Sequence, residues 1–75
     1  MERIISMNGI TDVTKMVTLA MACDGDITLS SGRYAVDVKS VLGVFSIDLT
    51  KGVKVEYPNE LAGSEFDNYL KNFEI

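Results

Sequence analysis

Strand-like patterns of apolar and polar residues occur at four places in the chain. The first is rich in β-branched side chains and stops at Asn8-Gly9, a dipeptide that favours a turn. The second and third alternate on either side of Ser30-Ser31-Gly32, which predicts a β-hairpin. The fourth also alternates and is closed by Pro58. The predicted strands cover residues 2–7, 27–29, 34–38 and 53–57, and we expect the first to lie centrally enough in the sheet to need apolar neighbours.

A helical pattern runs over residues 12–23. Its apolar side chains recur at spacings of three and four residues, as on the buried stripe of an amphipathic helix. Thr11 or Asp12 is expected to cap this helix, because a short side-chain oxygen accepts from the unpaired amides of a first turn. Met16 and Met21 lie on the apolar stripe, so we expect both in the core.

Two further helices are expected, one in the middle of the chain and one after the fourth strand. Residues 40–47 could form a strand by composition, but they open with Ser40, a capping residue, and their apolar positions suit a short helix. Residues 62–73 carry apolar side chains at helical spacing. Glu60 just before this segment, and Glu65 and Asp67 within it, bias negative charge toward its N-terminal half, where the helix dipole favours it. A short middle helix and a third helix are therefore predicted.

The predicted order is strand, helix, strand, strand, helix, strand, helix. Each helix has one apolar face and the hairpin is antiparallel, so a four-stranded antiparallel sheet with all three helices on one face buries the apolar surface. The other face of the sheet is then left in water. The predicted fold class is α+β, an open-faced β-sandwich formed by a single domain over residues 1–75.

Charge and composition narrow the classes of function. The net charge is −4 and the seven Lys and Arg residues are scattered, so no basic stripe is available for a phosphate backbone and no nucleic acid partner is expected. No apolar run is long enough to cross a bilayer, so no membrane partner is expected either. Residues 1–3 open an alternating, strand-like segment, whereas a secretory signal would have a long apolar stretch at this place. A cytoplasmic location is therefore predicted.

The chain has one cysteine and no histidine. Cys23 has no partner for an internal disulfide and no imidazole to activate it, so we expect a small buried apolar residue near the end of the first helix. A metal site of the Cys/His kind is not expected. No convergent acid and base pair, glycine-rich phosphate loop or nucleophile triad is found. The sequence therefore predicts a protein that is not an enzyme and has no metal and no cofactor.

The middle of the chain resembles the HPr family of phosphocarrier proteins. The matching segments are DITL at 26–29, VKSVLGVFS at 38–46 and KGVKV at 51–55, in unbroken register. The second segment is the most specific, because the family has a Lys-Ser pair followed by two apolar residues and a glycine around its regulatory serine. In the N-terminal third only Gly9-Ile10 and the helix after it match. The resemblance implies the HPr fold, with the element order predicted above.

The resemblance also identifies what this chain lacks. In the family the Gly-Ile pair is followed by a catalytic histidine and then by an arginine and a proline, whereas this chain has Thr11-Asp12-Val13-Thr14. Thr11 and Asp12 thus mark a degenerate phosphocarrier site. A phosphothreonine lacks the labile nitrogen–phosphorus bond of phosphohistidine. An aspartyl phosphate on Asp12 would be labile, but no basic residue or metal cluster accompanies Asp12 to support one. Histidine phosphocarrier activity is therefore excluded.

Ser40 is the regulatory site that the resemblance implies. In the family, HPr kinase/phosphorylase phosphorylates this serine to signal sugar abundance in Gram-positive bacteria, and the apolar residues after it dock partner proteins. The docking residues here would be Val41, Leu42 and Phe45. We expect one or two of them to be exposed, and Val41 and Leu42 are the better candidates. The alternative that all three belong to the core stays open. A phosphoserine at a helix N-cap meets unpaired amides, but serine there is also an ordinary cap.

Two functions are left open at this point. The first is a regulatory phosphoprotein of the sugar phosphotransferase and carbon catabolite system, which binds a transcriptional regulator when Ser40 carries phosphate, as the catabolite-repression paralogue of HPr does. The retained Lys-Ser motif favours it. The second is a diverged protein-interaction or structural module without phosphorylation, which the loss of the histidine, arginine and proline favours.

Overall fold

Four strands and three helices follow one another in the predicted order, in a computed structural model that describes residues 1–75. The strands are β1 (Glu2–Ile5), β2 (Thr28–Ser31), β3 (Tyr34–Asp37) and β4 (Val53–Glu56). The helices are α1 (Ile10–Met21), α2 (Val41–Phe45) and α3 (Glu65–Lys71). Short 3-10 turns at Leu49–Lys51 and Asn59–Leu61 precede β4 and α3. Every predicted element is present, and the differences are confined to the element ends.

The sheet has the strand order β1-β4-β2-β3, and all neighbouring strands are antiparallel. Helix α1 packs against α3, α3 against β1 and α2 against β3. The predicted fold class is therefore confirmed: an α+β open-faced sandwich with a four-stranded antiparallel sheet and three helices. Gly32 has a φ of 58° in the two-residue loop between β2 and β3, the positive value that the first central position of a type II′ hairpin turn requires.

Strand β1 lies at the edge of the sheet, so the expectation of a central first strand is wrong. A segment from the far end of the sequence covers this edge instead. The amide of Ser6 donates to the carbonyl of Phe73, and the amide of Ile75 donates to the carbonyl of Ile4, both at 3.0 Å. Residues 73–75 thus protect the edge of β1 from other strands, through contacts that no local pattern encodes.

The core lies between the sheet and the helices because side chains alternate along each strand. Ile5, Leu29 and Val55 lie on the helix-covered face and are fully buried. Lys54, between two buried valines of β4, lies on the open face and is only partly buried. The helices contribute the buried residues Val13, Met16, Val17, Ala20, Val44, Phe66 and Leu70.

Helix α1 begins at Ile10, two residues before its predicted start, and this changes the role of Thr11 and Asp12. Gly9 occupies the N-cap in an extended conformation, and no side chain caps the helix. The expectation that Thr11 or Asp12 is the cap is therefore wrong, because both residues already lie inside the first turn. Asp12 is still favourably placed there, since the N-terminal end of a helix attracts negative charge.

The C-terminal end of α1 differs from the expectations for Met21 and Cys23. Met16 is buried as predicted, but Met21 is exposed, because it is the last residue of the helix and nothing packs over it. Cys23 lies beyond the helix and is only half-buried, with its thiol donating to the carbonyl of Leu19 at 3.3 Å. The prediction for Cys23 is thus right about its place near the helix end and wrong about full burial.

A buried carboxylate, Asp67, joins α3 to the strands. It accepts hydrogen bonds from Nε of Arg3 at 2.8 Å, from the amide of Gly63 at 2.9 Å and from the hydroxyl of Tyr57. Burial alone would raise the pKa of Asp67, but these hydrogen bonds and the charge of Arg3 hold that pKa well below its usual range. Burial, together with the bond to Asp67, raises the pKa of Tyr57 to about 12. All polar atoms of this network are paired.

Candidate functional site

Helix α2 is a short element whose start is defined by Ser40. The Ser40 hydroxyl is exposed and accepts from the amide of Gly43 at 3.4 Å, and the Ser40 carbonyl accepts from the amide of Val44 at 3.0 Å. The predicted capping role of Ser40 is thus confirmed. Because the side chain reaches solvent at the end of the helix, its oxygen is accessible to a modifying enzyme.

The connection that leads into Ser40 is held by side chains on both sides. Asp37 accepts from the amide of Lys39 through its carboxylate and from the amide of Ser40 through its carbonyl, both at 2.9 Å. The Lys39 ammonium donates to the carbonyls of Cys23 and Gly25, at 2.7 and 3.0 Å. Lys39 is therefore a structural residue that ties the start of α2 to the loop between α1 and β2.

Gly43 allows α2 to lie close to β3. A Cβ atom at this position would lie 3.2 Å from the Ser40 hydroxyl and 3.3 Å from Cβ of Val36. Both distances are shorter than ordinary van der Waals contact. Local packing thus explains why a glycine follows the Lys-Ser pair: a larger residue at position 43 would push either the Ser40 side chain or strand β3 away.

The three sequence-predicted docking residues all reach solvent. Leu42 is 86% exposed, Phe45 44% and Val41 42%, while Val44 between them is fully buried. The open possibility that all three belong to the core is therefore wrong, and more of them are exposed than the one or two expected. A helix of five residues has room for only one buried position here, so the other apolar side chains form a surface.

A fourth apolar residue, Ile10, extends this surface and was not predicted. Ile10 is 75% exposed, and with Phe45 it lines a shallow groove of about 160 Å³ whose floor includes Met7 and Val13. We call Ile10, Val41, Leu42 and Phe45 the apolar patch. The sequence alone showed only that Ile10 is an apolar residue near the start of a helix, which does not indicate a surface position beside Phe45. Its place near Phe45 follows from the packing of the two helices.

The groove carries little charge. Its one carboxylate, Asp48, is bonded to the hydroxyl and amide of Thr50 at 2.6 and 3.0 Å, and these bonds lower the pKa of Asp48. Asp48 is therefore the single ionised group that lines the groove beside Ile10 and Phe45. This composition suits an apolar partner surface better than a charged small molecule.

The degenerate phosphocarrier residues adjoin this groove through the start of α1, but they form no reactive group. Thr11 is exposed, and Asp12 is half-buried with its carbonyl accepting from the hydroxyl of Tyr69 at 2.8 Å. Burial and the nearby charge of Asp12 raise the pKa of Tyr69. Tyr69 thus fixes the first turn of α1 against α3. The Asp12 carboxylate makes no ion pair with a lysine or arginine.

The rest of the molecule has no candidate metal site and one further cavity. No three His, Cys, Asp or Glu side chains are grouped so that they could hold a metal ion. The larger cavity, about 490 Å³, lies at the end of α1 between Cys23 and Phe66, and its polar lining is mainly carboxylates. None of the three helices is both long and apolar enough to span a membrane.

Comparison of the chain with protein-family models, with curated proteins and with solved structures finds no match in any of the three.

Proposed function

We propose that the chain is a non-catalytic, HPr-like interaction domain that docks a protein partner through the apolar patch and is regulated by phosphorylation of Ser40. The observation that carries the proposal is the position of an exposed capping serine directly before three exposed apolar side chains. A surface of this kind is typical of the centre of a protein interface, where apolar and aromatic side chains are buried on binding.

The local structure supports phosphorylation without unfolding. A phosphate on Ser40 would stand beside the amide of Gly43, which already donates to the hydroxyl, at the positive end of α2. It would add about two negative charges immediately beside Val41 and Leu42. Phosphorylation would therefore change the electrostatics of the docking surface while leaving its shape in place.

The absence of catalysis is part of the proposal. The chain has no histidine, and the buried ionisable groups, Asp67 and Tyr57, bond to one another and to Arg3. Their perturbed pKa values thus have a structural cause. By resemblance to the HPr family, the partners would be HPr kinase/phosphorylase and a transcriptional regulator of carbon catabolite control.

The test of phosphorylation uses the intact chain, ATP and the HPr kinase/phosphorylase of the same organism. Mass spectrometry is expected to detect one added phosphate on the wild type and on Ser46→Ala, and none on Ser40→Ala. Ser46 is the matched control, because it is also exposed and lies at the other end of α2. Lack of modification of the wild type would remove the regulatory part of the proposal.

A second function, docking without phosphorylation, is favoured by the apolar patch itself, whose exposure does not depend on Ser40. Immobilised wild-type protein and Leu42→Ser would be compared for capture of the catabolite regulator, with and without phosphate on Ser40. Binding that is lost in Leu42→Ser but indifferent to phosphate would support this second function. Equal binding by both proteins would contradict the assignment of the docking surface.

A further inference from the structure

Strand β3 forms the second edge of the sheet, and no strand covers it as residues 73–75 cover β1, although the Asp37 carbonyl already accepts from the amide of Ser40. It pairs only with β2, whereas β1 pairs with β4 and also with residues 73–75. Tyr34, Ala35 and Asp37 of this edge are all exposed, as is Arg33 of the loop that precedes β3. An uncovered edge strand presents main-chain groups that can pair with another strand.

The direction of these main-chain groups follows from the register. The amide of Val38 donates to the carbonyl of Ile27 at 2.9 Å, so residues 34, 36 and 38 direct their main-chain groups toward β2. The N–H and C=O of Ala35, which alternates with them, therefore point to the free edge. Ala35 is thus the residue through which β3 can bond to a further strand.

We propose that β3 pairs with β3 of a second copy of this chain, antiparallel and around a two-fold axis at Ala35. In this register the two Ala35 residues face each other and exchange a pair of N–H···O bonds. The two sheets would join into one continuous eight-stranded sheet. This inference is independent of Ser40 and of the proposed function.

Charge complementarity identifies a second copy as the occupant. With Ala35 at the centre, Arg33 of each chain faces Asp37 of the other, and this opposite-charge pair occurs twice. Tyr34 faces Val36, an aromatic and a β-branched residue, which is a favourable cross-strand combination. The Tyr34 ring, 73% exposed in the single chain, would then be packed against the other copy.

Other registers lose this complementarity. A slip of four residues, which moves the two-fold axis by two, places Asp37 opposite Asp37 in one direction and Arg33 opposite Arg33 in the other. A slip of two residues centres the pair on Val36 or on Tyr34 and places Ala35 opposite Asp37 or Arg33, so both opposite-charge pairs are lost. A slip of one residue places main-chain groups that already bond to β2 opposite free ones. The order Arg33, Ala35, Asp37 therefore suits one pairing only.

The first test measures self-association of the intact chain by sedimentation over a concentration series. The weight-average mass of the wild type is expected to rise toward that of two chains, while Arg33→Glu and Asp37→Arg each stay monomeric because like charges face each other. An equal mixture of these two variants restores both opposite-charge pairs and is expected to form a heterodimer. Lys71→Glu, an equal charge change on α3, should associate as the wild type does.

A second test is independent of the charge variants, since Asp37 also supports the turn before Ser40. In a Cys23→Ser background, Ala35→Cys should form a disulfide-linked dimer on mild oxidation, because facing residues of a hydrogen-bonded pair lie about 5.5 Å apart at Cα, within disulfide range. Lys71→Cys is the exposed control and should crosslink far less. A wild type that stays monomeric at its highest concentration, or equal crosslinking at both positions, would overturn the proposal.

Discussion

Arg3 on the edge strand β1 donates from Nε to Oδ1 of Asp67 on α3 at 2.8 Å and so joins the first strand to the last helix. The same guanidinium reaches Glu74 through Nη1, at 3.0 and 3.1 Å. The side chain of Asp67 is 2% exposed and that of Glu74 is 42% exposed. One cation thus makes a buried and a partly exposed ion pair, and their contributions can be separated by mutation.

Asp67→Asn is expected to lower the free energy of unfolding by about 3 kcal/mol, because it leaves a largely buried Arg3 without its main counter-charge. Glu74→Gln is the matched control, since it removes the exposed partner of the same arginine and should cost less than about 1 kcal/mol. Urea unfolding followed by circular dichroism measures both. Equal costs for the two variants would contradict the assigned burial.

The stability of the protein is expected to fall in acid through Asp67. Its pKa is lowered on folding from the ordinary value of 3.8, so the unfolded chain takes up a proton first as pH falls. The contribution of Asp67 is therefore complete above about pH 5 and is lost as pH drops below the ordinary value toward the folded one. The stability difference between wild type and Asp67→Asn should be constant above about pH 5 and shrink below it toward about pH 2, and a difference that stays constant in acid would count against this mechanism.

Gly43→Ala is expected to destabilise the protein by about 1 kcal/mol, although alanine is the better helix former. The added Cβ would lie 3.2 Å from the Ser40 hydroxyl and 3.3 Å from Cβ of Val36, and such overpacking outweighs the gain in helix propensity. In a Ser40→Ala background the cost should be smaller, since one of the two crowded atoms is gone. Thermal unfolding of the wild type, the two single variants and the double variant measures the coupling between the two substitutions. If the two costs simply add, this explanation is contradicted.

Substitutions in α2 should separate exposed from core positions. Leu42→Ser is expected to change stability by less than about 0.5 kcal/mol, because its side chain is 86% exposed. Val44→Ala should cost about 2 kcal/mol, since it removes two methyl groups from a fully buried site. Chemical denaturation of both variants measures the two changes in the free energy of unfolding. A large loss in Leu42→Ser would mean that the apolar patch is part of the core.

The elements of this fold could be predicted from the sequence because their signals are local. Pro58 ends β4, Ser30-Ser31-Gly32 marks the hairpin, and Ser40 caps a helix whose next residues are already in contact with it. The exposure of Val41 and Leu42 followed from the small size of one helix. Element ends were less predictable, as Gly9 shows: an extended N-cap without a side chain leaves no residue pattern.

The sequence by itself determined which residues form strands and helices, the absence of an imidazole, and the cap at Ser40. These depend on residue type and on neighbours within one or two helical turns. Only the tertiary structure decided that β1 and β3 are the edges, that Ile10 lies beside Phe45 across one groove, and that Arg3 meets Asp67. Those relationships join residues far apart in the chain, and their geometry is set by how the apolar faces pack together rather than by any local preference.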